Sequence, residues 1–130
     1  MAPIPKPQSP RPLRLLVADD DRDAVITLSL LLQQEGHEVI EVYRSEAVIE
    51  LVRRYQPQAV LLDLGMPGLT GIEIARQLRE ELRQKCPMLV AITAWHQEAA
   101  RRLGKLAGFN HYLTKPYSTE ELLDILRGGG

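Results

Sequence analysis

The chain has 130 residues, of which 45% are hydrophobic, and this is enough for one folded domain with a packed core. Sixteen Lys and Arg residues against seventeen Asp and Glu leave a net charge of -1, so the overall charge favours neither nucleic acid nor an anionic membrane as a partner. The single cysteine, Cys86, excludes an internal disulfide and suits a reducing cytoplasm, and since no apolar run reaches the ~18 residues of a membrane span, we expect a soluble, cytoplasmic protein.

The two ends of the chain differ in composition from the rest. Five of the nine prolines lie in residues 1–12, which have no apolar period, so this stretch is predicted to be a disordered tail. Residues 128–130 are glycines and are predicted to be flexible as well. The remaining residues, 13–127, are predicted to form one domain, and no output domain is expected after Leu126.

Short apolar runs alternate five times with helical patterns, which is typical of a parallel sheet with crossover helices. The predicted strands lie near residues 13–18, 38–43, 58–63, 88–93 and 110–113. The third and fourth are continuously apolar, as expected when helices cover both faces, whereas the second alternates and is expected near an edge. We therefore predict an α/β fold with a doubly wound, five-stranded parallel sheet in the order 2-1-3-4-5.

Helix signals agree with this architecture. The segments Thr70-Gly-Ile-Glu73 and Ser118-Thr-Glu-Glu121 match the capping box, so each predicts a helix start. Gly36 and Gly108 stand where helix ends favour a left-handed residue. Two helices carry apolar residues spaced as one stripe: Val48, Leu51, Val52 and Tyr55 on one, and Ala99, Leu103, Leu106 and Ala107 on the other.

Four of the predicted strands end on residues suited to a phosphoryl group. In chain order these are Asp19-Asp20-Asp21 after the first strand, Asp63 at the end of the third, Thr93 at the end of the fourth and Lys115 after the fifth. Because the carboxyl ends of parallel strands lie at one edge of a sheet, where open α/β sheets bind ligands, we expect these residues to share one site.

The carboxylates of this group favour a bound cation. Two of the three successive aspartates can approach one point as the chain turns, and we choose Asp19 and Asp20, leaving Asp21 as a helix N-cap. Asp63 on the neighbouring strand brings a third carboxylate, and the mutual repulsion of the three requires a cation. Since no Cys or His accompanies these oxygen ligands, the expected ion is Mg²⁺ or Mn²⁺ rather than zinc.

Phosphoryl transfer is the chemistry that such a group can perform. A carboxylate beside a hard divalent ion can attack phosphorus and form an acyl phosphate, while the Thr93 hydroxyl and the Lys115 ammonium stabilise the charged oxygens. Each residue alone also has an ordinary structural role: an aspartate as a helix cap, Thr93 as a strand former and Lys115 as a solvated charge. Their joint occurrence at four strand ends favours the phosphoryl-transfer site.

Four blocks of the sequence carry a resemblance to a known family. The blocks LLVADDD, VLLDLGMPGLTG, AITA and GFNHYLTKPY stand in the order and at the separations found in that family. From about Leu13 to Leu126 the chain resembles the receiver domain of two-component response regulators, of the chemotaxis-regulator type. The resemblance implies a flavodoxin-like three-layer sandwich and a function in phosphorelay signal transduction.

The resemblance also implies a role for each residue of the acidic group. Asp63 becomes the phospho-acceptor and a metal ligand, and Asp20 becomes a direct Mg²⁺ ligand. Asp19 joins the acidic pocket around the metal. Gly65 contributes its backbone carbonyl to the metal, so it can act as a ligand without a side chain.

Residues on the last two strands are implied to sense the phosphoryl group. Thr93 becomes the switch hydroxyl and Lys115 the lysine that pairs with phosphate. Tyr112 matches the switch aromatic, with a partly buried strand residue as the alternative, and Pro116 matches a position that typically follows a cis peptide bond. Trp95 stands where smaller or polar residues are frequent, and we hypothesise that it shields the acyl phosphate from water.

The implied function is signal relay. A histidine kinase or phosphotransfer protein would donate the phosphoryl group to Asp63, and a downstream protein would read the face formed by the fourth helix, the fifth strand and the fifth helix. No nucleic-acid or membrane partner is expected, and no enzyme activity beyond self-catalysed phosphotransfer and autodephosphorylation. The chain is either a stand-alone regulator or a receiver excised from a hybrid kinase or longer regulator. His37, His96 and His111 are assigned no site role.

Two other functions stay open at this point. A haloacid-dehalogenase-like phosphatase also uses an aspartyl phosphate and Mg²⁺, and Asp19 with Asp21 has its Asp-x-Asp spacing, although the expected downstream residue and a cap domain are missing. The third candidate is a docking module that is never phosphorylated. The complete set of acidic pair, acceptor, threonine and lysine argues against this third candidate.

Overall fold

The computed structural model describes residues 12–95 and 98–128. Its strands are β1 (Arg14–Ala18), β2 (Glu38–Val42), β3 (Ala59–Asp63), β4 (Met88–Thr93) and β5 (His111–Thr114). Its helices are α1 (Arg22–Gln34), α2 (Val48–Tyr55), α3 (Gly71–Leu82), α4 (Glu98–Ala107) and α5 (Thr119–Leu126), with short 3-10 helices at Ser45–Ala47 and Arg83–Lys85. All strands pair in parallel in the order β2-β1-β3-β4-β5, which confirms the predicted fold class and strand order.

Some sequence predictions fall outside these ranges. Most of the two predicted tails lies outside the described residues, at 1–11 and 129–130. His96, which was assigned no site role, lies outside them as well. Within the described ranges, no helix is long and apolar enough to cross a membrane. The longest of these helices, α1, has 13 residues.

The core lies on both faces of the sheet. Successive residues of β1 alternate between the faces, so Leu15 and Val17 pack with α1 and α5, whereas Leu16 and Ala18 pack with the opposite helix layer of α2, α3 and α4. Strand β2, with its alternating pattern, lies at the edge of the sheet as predicted. Helices therefore cover the central strands on both sides and leave the strand ends accessible.

The helix caps follow the sequence signals. Asp21 is the N-cap of α1 and accepts a hydrogen bond from the Ala24 N–H. Complete capping boxes start α3 at Thr70 and α5 at Ser118, as predicted. Gly36 and Gly108 have φ angles of 95° and 112°, which confirms their predicted left-handed conformation. The three N-caps, at Asp21, Thr70 and Ser118, fix the starts of α1, α3 and α5 close to the carboxyl ends of the preceding strands.

Helix α4 turns its larger apolar residues outward. Gly104 and Ala107 are buried, whereas Leu103 is 50% and Leu106 is 81% exposed. A side chain at Gly104 would lie 3.1 Å from the ring of Tyr112, so α4 approaches β5 closely only through its small residues. The apolar stripe predicted on this helix is therefore largely solvent-exposed.

A buried histidine anchors the start of β1. The Leu13 N–H donates to Nδ1 of His37 over 3.0 Å, so this nitrogen carries no proton. The ring is only 4% exposed, and its Nε2 has no hydrogen-bond partner within the described part of the chain. Burial lowers the pKa of His37, and the nearby Glu35 carboxylate opposes this only in part. Protonation of Nδ1 would remove the acceptor that holds Leu13.

We expect this histidine to make the fold sensitive to acid. The unfolded chain takes up a proton near pH 6.5, whereas the folded protein resists protonation. The contribution of His37 to stability is therefore complete above that pH and is lost as the pH falls from there toward the lower folded-state pKa. Thermal melts between about pH 7 and pH 5 should show a shallower decline for His37→Gln than for the wild type. Equal slopes for His37→Gln and the wild type would refute the assignment.

Candidate functional site

The strand register brings the predicted site residues to one edge of the sheet. Asp63 pairs with Ile92 and Thr93 pairs with Thr114, so β3, β4 and β5 end at nearly the same level. The residues that meet at this edge are Asp19 and Asp20 after β1, Asp63 at the end of β3, Thr93 at the end of β4, and Lys115 after β5. Residues separated by up to 96 positions are thus neighbours in space.

Three carboxylates converge at this edge. One oxygen from each of Asp19, Asp20 and Asp63 lies within 4.8 Å of the others. Asp19 is buried, Asp63 is half-buried and Asp20 is exposed. Like charges at this separation repel one another, and an all-oxygen ligand set suits a hard divalent cation. The cluster therefore fits a magnesium-type site with one side open to solvent.

Lys115 supplies the positive charge at the site. Its Nζ lies 3.3 Å from Oδ2 of Asp19 and 3.6 Å from Oδ2 of Asp63. Partial burial lowers the pKa of Lys115, but the charges of Asp63 and Asp19 outweigh this and raise it overall. The lysine therefore stays charged, between the two carboxylates, at any physiological pH.

Burial shifts the pKa of Asp63. Desolvation raises the pKa of Asp63 and the adjacent Asp19 raises it further, while the Gly65 N–H and the Lys115 ammonium oppose the change. The Gly65 N–H donates to Oδ1 of Asp63 over 2.8 Å, which fixes the orientation of this carboxylate. A cation beside Asp63 would favour its ionised, nucleophilic form.

Thr93, Trp95 and Tyr112 are connected by hydrogen bonds. The buried Thr93 hydroxyl accepts from the Trp95 N–H over 3.1 Å, and the Trp95 carbonyl accepts from the Tyr112 hydroxyl over 3.2 Å. The Tyr112 ring lies against Gly104 of α4, with the Arg101 guanidinium 5.2 Å from the ring centre. This chain of contacts joins the strand-end site to α4.

Pro116 and Trp95 flank the site. The Lys115–Pro116 peptide bond is cis, as the resemblance implies, and the Lys115 N–H donates to the Thr93 carbonyl over 2.7 Å. The Trp95 side chain is 48% exposed. The structure thus clusters the three aspartates and places Lys115 against two of them. Gly65 donates directly to Asp63, and hydrogen bonds after β4 connect Thr93 with Tyr112.

Some residues of the site could not be found from sequence. Tyr117 lines a cavity of about 40 Å³ together with Asp19, Asp63 and Lys115, and burial raises the pKa of its hydroxyl. The Val42 carbonyl at the end of β2 accepts from the Asp19 N–H over 3.1 Å. Ser45, in the short helix that follows β2, donates to the Pro67 carbonyl in the loop after Asp63. Tyr117 at least lies within the GFNHYLTKPY block, whereas Ser45 has no distinguishing pattern around it.

Comparisons with known proteins agree with this geometry. The family model described as response regulator receiver domain matches residues 15–127. Protein PilH of Pseudomonas aeruginosa is 34% identical over 113 residues, which cover 87% of this chain and 93% of PilH. The BeF3-activated N-terminal receiver domain of Klebsiella pneumoniae RstA has a TM-score of 0.83 at 24% identity, covering 89% of this chain and 97% of that one.

A further structural match comes from the co-crystal structure of the Saccharomyces cerevisiae histidine phosphotransfer protein Ypd1 with the receiver domain of Ssk1. Its TM-score is 0.83 at 23% identity, covering 92% of this chain and 89% of that one. At such identities the two structural matches establish the fold alone. The family model and PilH extend the likeness to nearly the whole sequence, and the chain therefore belongs to the response regulator receiver domain family.

Proposed function

We propose that the chain accepts a phosphoryl group on Asp63, in a reaction that depends on a divalent cation, and relays this event to another protein. The observation that carries the proposal is the contact of Lys115 with Asp63 and Asp19 beside a cluster of three carboxylates. A nucleophilic carboxylate, a charge-balancing ammonium and a cation pocket are the parts that phosphoryl transfer requires. Residues 13–127 form the receiver unit in this proposal.

The phosphoryl donor is a histidine kinase or a phosphotransfer protein. One carboxylate oxygen of Asp63 attacks phosphorus, the bond from phosphorus to the donor's imidazole nitrogen breaks, and the imidazole leaves with the electron pair. The Lys115 ammonium then pairs with the phosphoryl oxygens in place of a carboxylate. The complex of Ypd1 with the Ssk1 receiver supports a phosphotransfer protein as a partner of such domains.

Mg²⁺ or Mn²⁺ is the cation that the ligand set favours. Asp20 and Asp63 would bind it directly, Asp19 completes the acidic pocket, and Gly65 offers its backbone carbonyl. When bound, the ion neutralises charge that develops on the transferred oxygens. No activity toward other substrates is proposed, because the chemistry is self-catalysed phosphotransfer and autodephosphorylation. The single thiol, Cys86, suits the reducing cytoplasm in which we place this reaction.

The response to phosphorylation passes through Thr93 and Tyr112. A phosphoryl group on Asp63 attracts the Thr93 hydroxyl, and this movement competes with the hydrogen bond from the Trp95 N–H. Tyr112 is linked to the same backbone segment and packs on α4. We propose that the face of α4, β5 and α5, rather than a nucleic-acid surface, carries the signal to a downstream protein.

Intact-mass spectrometry tests the proposed function. The protein is incubated with acetyl phosphate as a small phosphodonor, with Mg²⁺ in one sample and a chelator in the other. The proposal predicts one acid-labile phosphate per chain in the Mg²⁺ sample alone. No adduct in either sample would contradict it and favour an unphosphorylated docking module.

Trp95 is expected to lengthen the lifetime of the phosphorylated state. It follows Thr93 by two residues, and its half-exposed ring would cover the route by which water reaches the acyl phosphate. We therefore expect Trp95→Ala to dephosphorylate several times faster than the wild type, as measured by loss of the phosphorylated mass. The control Leu106→Ala removes an exposed apolar side chain on α4 and should keep the wild-type rate. An unchanged or slower rate in Trp95→Ala would refute the shielding role.

A further inference from the structure

The end of β2 and the short helix after it contact the two chain segments that carry the acidic cluster. At the end of β2, the Val42 carbonyl accepts from the Asp19 N–H over 3.1 Å. Three residues later, the Ser45 hydroxyl donates to the Pro67 carbonyl over 2.8 Å, in the loop that follows Asp63. Ser45 is only 1% exposed, so its hydroxyl reaches the exposed loop residue Pro67 from a buried, fixed position. One short segment thus bridges the chain after β1 and the chain after β3.

The same segment packs closely against the loop backbone. Gly68 has a φ angle of +90°, and a Cβ at this position would lie 2.8 Å from the Ser45 hydroxyl and would also collide with the Glu46 carboxylate. The absence of a side chain at Gly68 is therefore what lets the loop reach Ser45. This contact is built from the side chains of one segment and the bare backbone of the other.

The loop held in this way contains the backbone that surrounds Asp63. It begins at Leu64, whose N–H donates to the Ile92 carbonyl of β4, and it ends at the α3 N-cap Thr70. Ser45 contacts the middle of the loop at Pro67, only two residues after Gly65. Movement of Pro67 would shift Gly65 and, through the Gly65 N–H, the orientation of the Asp63 carboxylate.

We propose that Ser45 is a positioning residue for the divalent-cation site. By holding Pro67, it sets the location of the loop that carries Asp63 and Gly65 relative to Asp19, whose backbone is held by the same segment. The inference rests on the proposed function, because it concerns the cation pocket of that site. Metal sites need their ligands held to within about 0.5 Å, so a small loop displacement is enough to weaken binding.

Mg²⁺ titration of a matched pair of serine variants tests this role. Ser45→Ala leaves the Pro67 carbonyl without its donor, and we expect its Mg²⁺ dissociation constant to rise about tenfold, as for loss of an outer partner of a metal ligand. Ser29→Ala is the control, because Ser29 is also 1% exposed but its hydroxyl accepts from Gln33 within α1. Binding is followed by Trp95 fluorescence and by the rise in melting temperature on adding Mg²⁺.

A matched pair of glycine variants tests the same contact by changing the loop instead of Ser45. Gly68→Ala pushes the loop away from Ser45 and Glu46, whereas Gly36→Ala has the same left-handed strain, at φ +95°, with no atom within 4 Å of the added methyl. We expect Gly68→Ala to weaken Mg²⁺ binding and Gly36→Ala to leave it unchanged. If Ser45→Ala does not fold, this glycine pair tests whether the contact between Ser45 and the loop positions the Mg²⁺ site.

The outcomes separate this inference from the proposed function. Folded Ser45→Ala with wild-type Mg²⁺ affinity would overturn the positioning role, and so would equal weakening by Ser29→Ala. A purely structural role would lower the melting temperature with and without Mg²⁺ by the same amount. Failure of the wild type itself to bind Mg²⁺ would instead refute the cation site on which the inference rests.

Discussion

Replacing Asp63 with asparagine is expected to reduce phosphorylation by a small phosphodonor to background. The asparagine Oδ1 can still accept from the Gly65 N–H, so the loop keeps its anchor, but the nucleophilic carboxylate is gone. Lys115 retains its contact with Asp19, which limits the damage to the fold. The measurement is incorporation of radiolabelled phosphate in the presence of Mg²⁺.

The same experiment separates the receiver from the haloacid-dehalogenase alternative, whose nucleophile would be Asp19. In the structure, Asp21 of that Asp-x-Asp spacing is occupied as the N-cap of α1. Asp124→Asn, on the exposed side of α5, is the control and should be labelled as fully as the wild type. Label that survives in Asp63→Asn would contradict the receiver chemistry and favour the alternative.

Asp20→Asn is expected to have opposite effects on metal binding and on the stability of the metal-free protein. The change removes one of three carboxylates whose oxygens lie within 4.8 Å, so it relieves repulsion and should raise the melting temperature without Mg²⁺. It also removes a direct ligand, and the Mg²⁺ dissociation constant should rise by more than the ~10–100-fold typical of outer-shell changes. Thermal melts over a Mg²⁺ series measure both effects.

Asp23→Asn provides the matched control for this prediction. Asp23 is exposed in the first turn of α1, three residues from Asp20, and it does not belong to the cluster of three carboxylates. Its substitution should leave the Mg²⁺-induced rise in melting temperature unchanged. A wild-type rise in Asp20→Asn would refute the assignment of Asp20 as a metal ligand.

The sheet and the meeting of its strand ends could be predicted because both depend on local pattern. Continuous apolar runs identify β3 and β4, and the alternation of β2 identifies an edge strand. Once the strands are parallel, residues such as Asp63 and Lys115 must lie at one edge whatever their separation along the chain. The helix starts at Thr70 and Ser118 could also be predicted from sequence, since a capping box is complete within four residues.

Other features depend on packing between distant segments and leave little trace in the sequence. Leu103 and Leu106 have the spacing of a core stripe, yet α4 buries Gly104 instead because the Tyr112 ring occupies the space beside it. Ser45 reads as an ordinary polar residue, and its contact with the loop after Asp63 becomes visible only in three dimensions.

The central claim, that Asp63 accepts the phosphoryl group, is tested most directly by chemical trapping. Borohydride reduces the acyl phosphate of an aspartate to homoserine, which marks the modified position in a peptide map. After incubation with acetyl phosphate, we predict homoserine at position 63 when Mg²⁺ is present and none when it is chelated. Homoserine at position 19, or at no position, would contradict the account.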